Sequence, residues 1–508
     1  MTVPAAPTPD YDAVLRERIE ALEKENKLLR EKLDALARRM FGARSEQLDA
    51  AQLQLMLQGL DAPGKLPEPV AVEAPRRSAN RLPPRCRAPR IPEHLPVIEE
   101  IIEPAAVQAA PQDWRRIGEE ITEKLDYQPA RFFRLRTVRP KYVERGVLDA
   151  VPQIAPLPES LLERGLAAPG LLAQIVVAKY CDHLPLYRQE SIYWIRHQVW
   201  LPRQTMAEWM GLAADWLKPV YECIRLEVMA GGYLQVDETP IRYLAPGHGQ
   251  TKLGYLWTCH APGHDTVFHW QVSRAAACLE KIIPVDFAGI IQCDGYEAYD
   301  CFQKTRPEKI ALAGCLSHVR RKFYDAQQTA PKVAAWILRQ FQHLYVLEER
   351  LREGRAGPKL RQAQRCSQSQ MVLARLHRAL MRLFTTRRYL PQSLMGKAIA
   401  YAINQWSSLL LFVENGRLEI DNNLVENAIR PTAVGKKNWL FFGDAEAGER
   451  SAILYTIIEA CRRRGLDPFS YLRDVFTRLP SMTNWQVKDI TPKAWAHSRA
   501  RSSQRLAA

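Results

Sequence analysis

Two aspartates sit where β-rich sequence would bury them. Asp237 lies inside "GYLQVDETPIRYL" (232–244), just after Leu234 and Val236, and Asp294 follows Ile290, Ile291 and Cys293 in "GIIQCDGYEAY" (289–299). A carboxylate carried into a sheet is costly unless a metal or another cation offsets its charge. If the two strands are neighbours, both acids meet at one edge of the sheet. There they can hold divalent ions that position the attacking and departing oxygens of a phosphodiester. Taken singly, each acid reads equally well as a strand-end turn residue, and "DG" at 294–295 is a common turn pair. Glu426 is the third candidate. Asn423, three residues earlier, makes a near capping box in which the glutamate would satisfy a backbone donor. A carboxylate in a first helical turn also points off the helix end, where it can meet a metal, and Arg430 one turn on suits a nearby phosphate. Glu238, Glu297, Asp300 and Asp421 read as structural or supporting carboxylates.

The charge balance points toward a polyanion. The 508 residues carry 71 Lys+Arg against 56 Asp+Glu, a net +15, and the excess is concentrated: residues 317–400 hold 17 Lys/Arg and four Asp/Glu, and 461–508 hold ten and three. Such clustering is the footprint of phosphate neutralisation, although solvated helix faces would give the same count. Arg320, Arg321 and Lys322 in the basic strand-to-helix segment 318–322 are candidate DNA contacts. Lys436 and Lys437, just before Trp439, could meet phosphate or a displaced base. The ten cysteines form no Cys-x-x-Cys pair, which excludes a zinc ribbon and a redox dithiol. Cys315 and His318 have the spacing of half a metal site, with no second pair in view. No apolar run approaches ~18 residues and no signal-peptide pattern opens the chain, so a soluble, cytoplasmic protein without membrane contact is expected.

Length suggests about three domains, and periodicity assigns them. Residues 11–48 place Leu15, Leu22, Leu29 and Leu36 at heptad position d and Ile19, Asn26, Leu33 and Met40 at a, the pattern of a coiled coil that pairs protomers, with Asn26 fixing register. Nine prolines in 63–96, interleaved with arginines, mark 49–100 as a linker. Residues 165–230 turn helical. A helix through Tyr187–Arg196, then a short one after Pro202 holding Thr205, Glu208 and Trp209, resembles a helix-turn-helix, as any small bundle would. Three β-rich runs (232–244, 253–261, 266–274) read as an antiparallel meander. A helical crossover then leads to a fourth run (289–299), long enough to return it parallel to an earlier strand. The expectation is an α/β sheet in the ribonuclease H-like order, begun in 231–326, interrupted by a basic helical insertion (327–410) and completed in 411–478. Residues 479–508 read as a basic tail.

Several stretches together resemble a known family, the transposases of the insertion-sequence-sixty-six group of bacterial elements: "RRMFGARSEQL", "IGEEITEKLDYQPARF", "AKYCDHLPLYRQE", "LQVDETP", "CDGYEAYD", "HVRRKF", "DNNLVENAIRP" and "GKKNWLFFG". The resemblance implies an Asp-Asp-Glu nuclease and strand transferase on a ribonuclease H-like core. Asp237, Asp294 and Glu426 fall on its acids, separated by 57 and 132 positions, with two Mg²⁺ (or Mn²⁺) ions as cofactors. It implies DNA as partner, both element ends and target, a homo-oligomer, possible accessory proteins of the same element, and a nucleoid-associated location. The chain departs from the family pattern twice. The paired cysteines of a small zinc module in 101–160 are absent, around Ala109–Asp113 and Val143–Gly146, so zinc is not expected, and Asn427 stands where an arginine usually follows the glutamate. Two alternatives remain open: a DNA-binding relative without catalysis, and a structure-selective nuclease on the same core.

Overall fold

β1 (Tyr233–Leu244) is the axis of a mixed sheet in the computed structural model. It pairs antiparallel with β2 (Thr251–His260), which pairs antiparallel with β3 (Thr266–Gln271). On its other side β1 runs parallel to β4 (Gly289–Gln292), and β4 parallel to β5 (Ile310–Ala313), a fifth strand not assigned from the sequence. The order is β3-β2-β1-β4-β5, with a short β6 (Phe441–Phe442) beside the far end of β1. Parallel neighbours need crossovers, and these are α4 (Ala276–Ile282) and α5 (Glu297–Thr305), which follow α1 (Pro169–Tyr180), α2 (Leu186–His197) and α3 (Arg203–Met229) in the chain. The parallel pair starts at Gly289, where a Cβ would lie 2.0 Å from the Gly232 carbonyl oxygen, so only glycine lets the two backbones approach there.

Alternation sorts the strand residues between two helical layers. Leu234, Val236 and Ile291 join a core with α1, α3, α13 (Ala445–Arg463) and α14 (Pro468–Arg478). Tyr233 and Ile290 face the opposite layer, built from α6 (Leu316–Asp325), α7 (Pro331–Glu353), α9 (Gln370–Thr385), α10 (Leu394–Asn404) and α11 (Trp406–Glu414). Between α7 and α9 stand α8 (Pro358–Gln364) and a single π-helical turn, Arg365–Ser369. The chain then reaches α12 (Asn423–Trp439). The structure describes residues 132, 141–142, 153–154, 159–162, 166–245 and 250–507. The coiled coil (11–48), the linker (49–100) and most of the 101–160 module lie outside these residues. None of the described helices is long and apolar enough to cross a membrane.

Three readings of the sequence change. The helix after Pro202 is 27 residues long rather than short, and Met206, Trp209, Met210, Ala213 and Ala214 are buried in the core. That face packs on the core, while Arg203, Gln204 and Glu208 keep an exposed edge at the start of the helix. The fourth β-rich run is a strand only to Gln292. Asp294 Oδ1 then accepts the Tyr296 N–H at 3.0 Å, turning the chain into α5. The expected tail carries α15 (Pro492–Ala507), whose Trp495 is buried against Tyr471, their ring centroids 5.6 Å apart.

Candidate active site

Register brings the first two acids to one place. Gln235 of β1 is directly opposite Gln292 of β4 in the parallel pair, and Asp237 and Asp294 each lie two residues further on. Both therefore lie just past the paired stretch of the two strands, Asp237 still within β1 and Asp294 beyond the end of β4. Asp237 is half-buried, and its Oδ1 accepts the Glu238 N–H at 3.0 Å. Burial pushes its carboxyl from 3.8 up to about 8, and the charges of Glu238, Glu426 and Asp294 push the same way, while the Glu238 N–H opposes them.

Glu426 arrives in the first turn of α12. Asn423 is the first residue of this helix rather than its cap: the cap position is Asn422, which makes no side-chain cap bond. Asn423 is held by Asp421, whose Oδ1 accepts its N–H at 3.2 Å and whose Oδ2 accepts its Nδ2 at 2.9 Å. The capping-box reading is thereby corrected, and the glutamate is left to face a pocket. That pocket, of about 320 Å³, is lined by Asp237, Glu426, His318, Arg321, Arg430 and Ile429. Asp294 sits beside it on the Arg274 side. The Arg274 guanidinium lies 3.9 Å from Asp294 Oδ2, pairs with the buried Glu238, and stacks 3.6 Å over the Tyr296 ring. Tyr299 donates its hydroxyl to the second Glu238 oxygen at 2.6 Å. Glu238 is thus occupied structurally, as the sequence reading held, and Glu297 and Asp300 are exposed on α5.

The half-site Cys315/His318 gains a third member from the fold. His318 Nε2 lies 3.8 Å from Glu426 Oε1, and the ligand atoms of Cys315, His318 and Glu426 are all within 4.8 Å of one another. The Cys315 thiol is already engaged, donating to Asn422 Oδ1 at 2.9 Å and accepting the Asn422 N–H at 3.4 Å. The hard oxygen donors of Asp237, Asp294 and Glu426 suit Mg²⁺ or Mn²⁺.

The basic candidates do not act as one patch. Consecutive helical positions point apart. Arg321 lines the acid pocket with Arg430, whereas Arg320 lines a separate cavity of about 430 Å³ with Tyr345 and Asn423, and the Lys322 ammonium sits 4.4 Å over the Tyr401 ring. Lys436 is held by Thr239 Oγ1 (2.9 Å) and the Pro240 carbonyl (3.1 Å), tying α12 to β1, while Lys437 is exposed. Trp439 stacks on Phe442 at 4.8 Å, so its ring is taken up inside the protein rather than offered to a base. Fifteen of the 17 basic residues in 317–400 are exposed, and only Arg361 and Arg365 turn inward. Sequence reasoning named His318 as half of a metal site with Cys315 but not its approach to Glu426, and it missed Arg274. The i, i+3 spacing of His318 and Arg321 could have indicated the first, but nothing in the sequence marks Arg274.

The raised Asp237 carboxyl carries a stability prediction. The folded protein keeps a proton that the unfolded chain releases from 3.8 upward, so the metal-free protein loses stability as pH climbs from about 4 through about 8. Denaturant titrations of the metal-free protein at about pH 5 and about pH 8 should show this loss, smaller in Asp237→Asn. Equal losses in the two proteins would contradict it.

Comparison with known proteins gives a consistent picture. Residues 164–450 match the model of the Transposase IS66 family, residues 456–492 the IS66 C-terminal element, and residues 28–99 the model described as Transposase C of IS166 homeodomain. The uncharacterized protein y4qI of Sinorhizobium fredii is 35% identical over 431 residues, covering 82% of this chain and 78% of the relative. The uncharacterized protein y4jD of the same organism is 33% identical over 491 residues, covering 92% and 94%. A third, y4hP, is 29% identical over 502 residues, covering 92% and 89%.

Proposed function

The chain belongs to the IS66 transposase family, and from that premise we propose that it is an Asp-Asp-Glu transposase on a ribonuclease H-like core, with Asp237, Asp294 and Glu426 as its catalytic acids. The observation that carries this reading is the register of β1 and β4. It sets Asp237 and Asp294 at equivalent positions, two residues past the last paired residues of two neighbouring parallel strands, while Glu426, which follows the helical insertion, shares a pocket with Asp237 and two arginines. The strand order β3-β2-β1-β4-β5, with an antiparallel meander followed by two parallel strands, supports the core assignment.

Two Mg²⁺ or Mn²⁺ ions held by these carboxylates would supply charge neutralisation for the phosphate and for the attacking and leaving oxygens. Arg321 and Arg430 face the same pocket and hold phosphate oxygens of the bound strand. Arg274 stands against Asp294 at 3.9 Å and orients that carboxylate. At an element end, water attacks phosphorus and the P–O3′ bond breaks, leaving a 3′ hydroxyl and a 5′ phosphate. In the second displacement that 3′ oxygen bonds to a target phosphorus, the target P–O3′ bond breaks, and the hydroxyl proton passes to solvent. Hydrolysis removes one phosphodiester bond. Strand transfer makes one for each it breaks and leaves the proton of the attacking hydroxyl balanced by the one the departing 3′ oxygen takes up, and neither step needs a covalent protein intermediate.

DNA is the partner, and the homeodomain-like match at 28–99 supports a contact outside the core. Pairing of protomers through 11–48, the 49–100 linker, the insertion at 327–410, cooperation with accessory proteins of the element, and a nucleoid-associated cytoplasmic location belong to the same proposal. It is tested by incubating duplexes that carry element ends with the protein and Mg²⁺, with and without target DNA. Nicked ends and joined products are expected. Salt-sensitive binding without nicks would leave a DNA-binding relative, and nicks without joining a nuclease.

The basic surface makes its own prediction. Removing Arg321 and Arg430 together should weaken end binding and lower the slope of log affinity against log salt by about 2. Replacing Lys436 should change that slope little, because its ammonium is bound to Thr239 and Pro240. An unchanged slope in the double variant would remove these arginines from the interface.

A further inference from the structure

Two glutamines precede the two aspartates by two residues each, and they meet. Gln235 and Gln292 are opposite one another across β1 and β4, and both are fully buried. A buried amide is costly unless its groups are bonded, and here every partner outside the two strands except the Gly314 carbonyl lies on the segment that leads to the third acid. Gln235 Nε2 donates to Gln292 Oε1 at 3.0 Å and to the Asp421 carbonyl at 2.9 Å, with the Tyr233 oxygen also within 3.2 Å. Gln235 Oε1 accepts the Val425 N–H at 3.3 Å, one residue before Glu426. Gln292 Nε2 donates to the carbonyls of Glu419 (2.9 Å) and Gly314 (3.2 Å), and its Oε1 accepts the Tyr233 hydroxyl at 2.6 Å. The Tyr233 oxygen in turn accepts the Glu419 N–H at 3.0 Å.

The non-regular stretch between α11 and α12 is therefore fastened at Glu419 and Asp421, and the first turn of α12 at Val425, to the two strands that lead to Asp237 and Asp294. Apolar packing cannot do this, because it is non-directional and tolerates a slide of an ångström that directed bonds do not. A fully satisfied buried network adds little net stability over apolar groups of the same shape, but it specifies one arrangement.

We propose that Tyr233, Gln235 and Gln292 are positioning residues that fix Glu426 relative to Asp237 and Asp294, setting how tightly the three acids hold divalent cations without touching DNA themselves. This rests on the nuclease reading above. The variants are Gln235→Leu, Gln292→Leu and the milder Tyr233→Phe, which deletes one hydroxyl and keeps the ring. Each is compared with wild-type protein for melting temperature with and without Mn²⁺, for end-DNA affinity in Ca²⁺, and for end cleavage across a Mn²⁺ titration.

The expected result is a metal-free melting temperature close to wild type in Tyr233→Phe and lower in the glutamine variants, whose buried partners lose their bonds. With it come a DNA affinity close to wild type, loss of most of the Mn²⁺-induced rise in melting temperature, and a half-saturating Mn²⁺ concentration raised on the order of tenfold, with cleavage partly restored at high Mn²⁺. An unaltered Mn²⁺ response and cleavage rate in Tyr233→Phe and whichever glutamine variant folds would overturn the clamp. So would cleavage lost in proportion to lowered melting temperature at an unaltered Mn²⁺ half-saturation. Wild-type protein that neither gains stability from Mn²⁺ nor cleaves would instead bring down the nuclease reading beneath it.

Discussion

Asp237→Asn protein should cut end-containing DNA in Mg²⁺ on the order of 10³-fold more slowly than wild type, a loss of about 4 kcal/mol of transition-state stabilisation. The amide is nearly isosteric with the acid, so the fold and the DNA-binding surface stay in place and only the anionic donor is lost. Asp294→Asn and Glu426→Gln should lose activity similarly. Asp237 differs from them in a second respect. Burial and the adjoining Glu238 raise its carboxyl to about 8, so the amide should make the metal-free protein more stable while it disables the reaction. Opposite signs in activity and stability mark a group retained for chemistry, and rates and denaturant midpoints measured on the same preparation would show both. A variant that cleaves at the wild-type rate would remove Asp237 from the site. One that loses activity and metal-free stability together would place it in the scaffold.

The largest effect on stability is expected far from the acids. Arg365 and Glu348 are both fully buried and joined by two bonds of 2.7 Å, Nε to Oε1 and Nη2 to Oε2. Arg365 Nη1 also donates to the Phe412 carbonyl at 2.8 Å and the Asn415 carbonyl at 3.2 Å. Burial pushes the Glu348 carboxyl up, but bonds and charge from Arg365 and Arg361 hold it below its ordinary value. Arg365→Met leaves that carboxylate in the interior with Arg361 alone, which bonds it at 3.2 Å and is shared with Glu419 at 3.0 Å. The expected cost is about 3–5 kcal/mol, or a melting temperature lower by roughly 10 °C. The double variant Arg365→Met, Glu348→Leu should recover most of the loss, since removing both charges leaves none unpaired. A single variant as stable as wild type, or a double variant no better than the single, would contradict this.

The parts of the fold legible in the sequence were those with a local physical signature. Alternating apolar residues marked β1 and β2, and the crossover length after β3 allowed β4 to return parallel. Asp237 stood out because an acid inside an apolar strand needs a reason to be there. The family resemblance added the pairing of all three acids, which no spacing could supply. What was misread depended on contacts distant in the chain. Asn423 is the first residue of α12 and not its cap, because the helix starts one residue earlier than the capping pattern implies. The helix after Pro202 runs to 27 residues because its apolar face, with Met206, Trp209 and Met210, continues in the core. The run Arg320-Arg321-Lys322 reads as one patch in sequence, yet successive helical positions send the three side chains to different surroundings. His318 and Arg274 reach the acids only through the packing of α6 and the turn after β3.

The most direct test is where manganese binds. Crystals of the protein with Mn²⁺, examined by anomalous scattering, should show ions bridging Asp237 to Asp294 and Asp237 to Glu426, and these should vanish in Asp237→Asn. Manganese absent from Asp237, or confined to Cys315, His318 and Glu426, would contradict the assignment of the three acids.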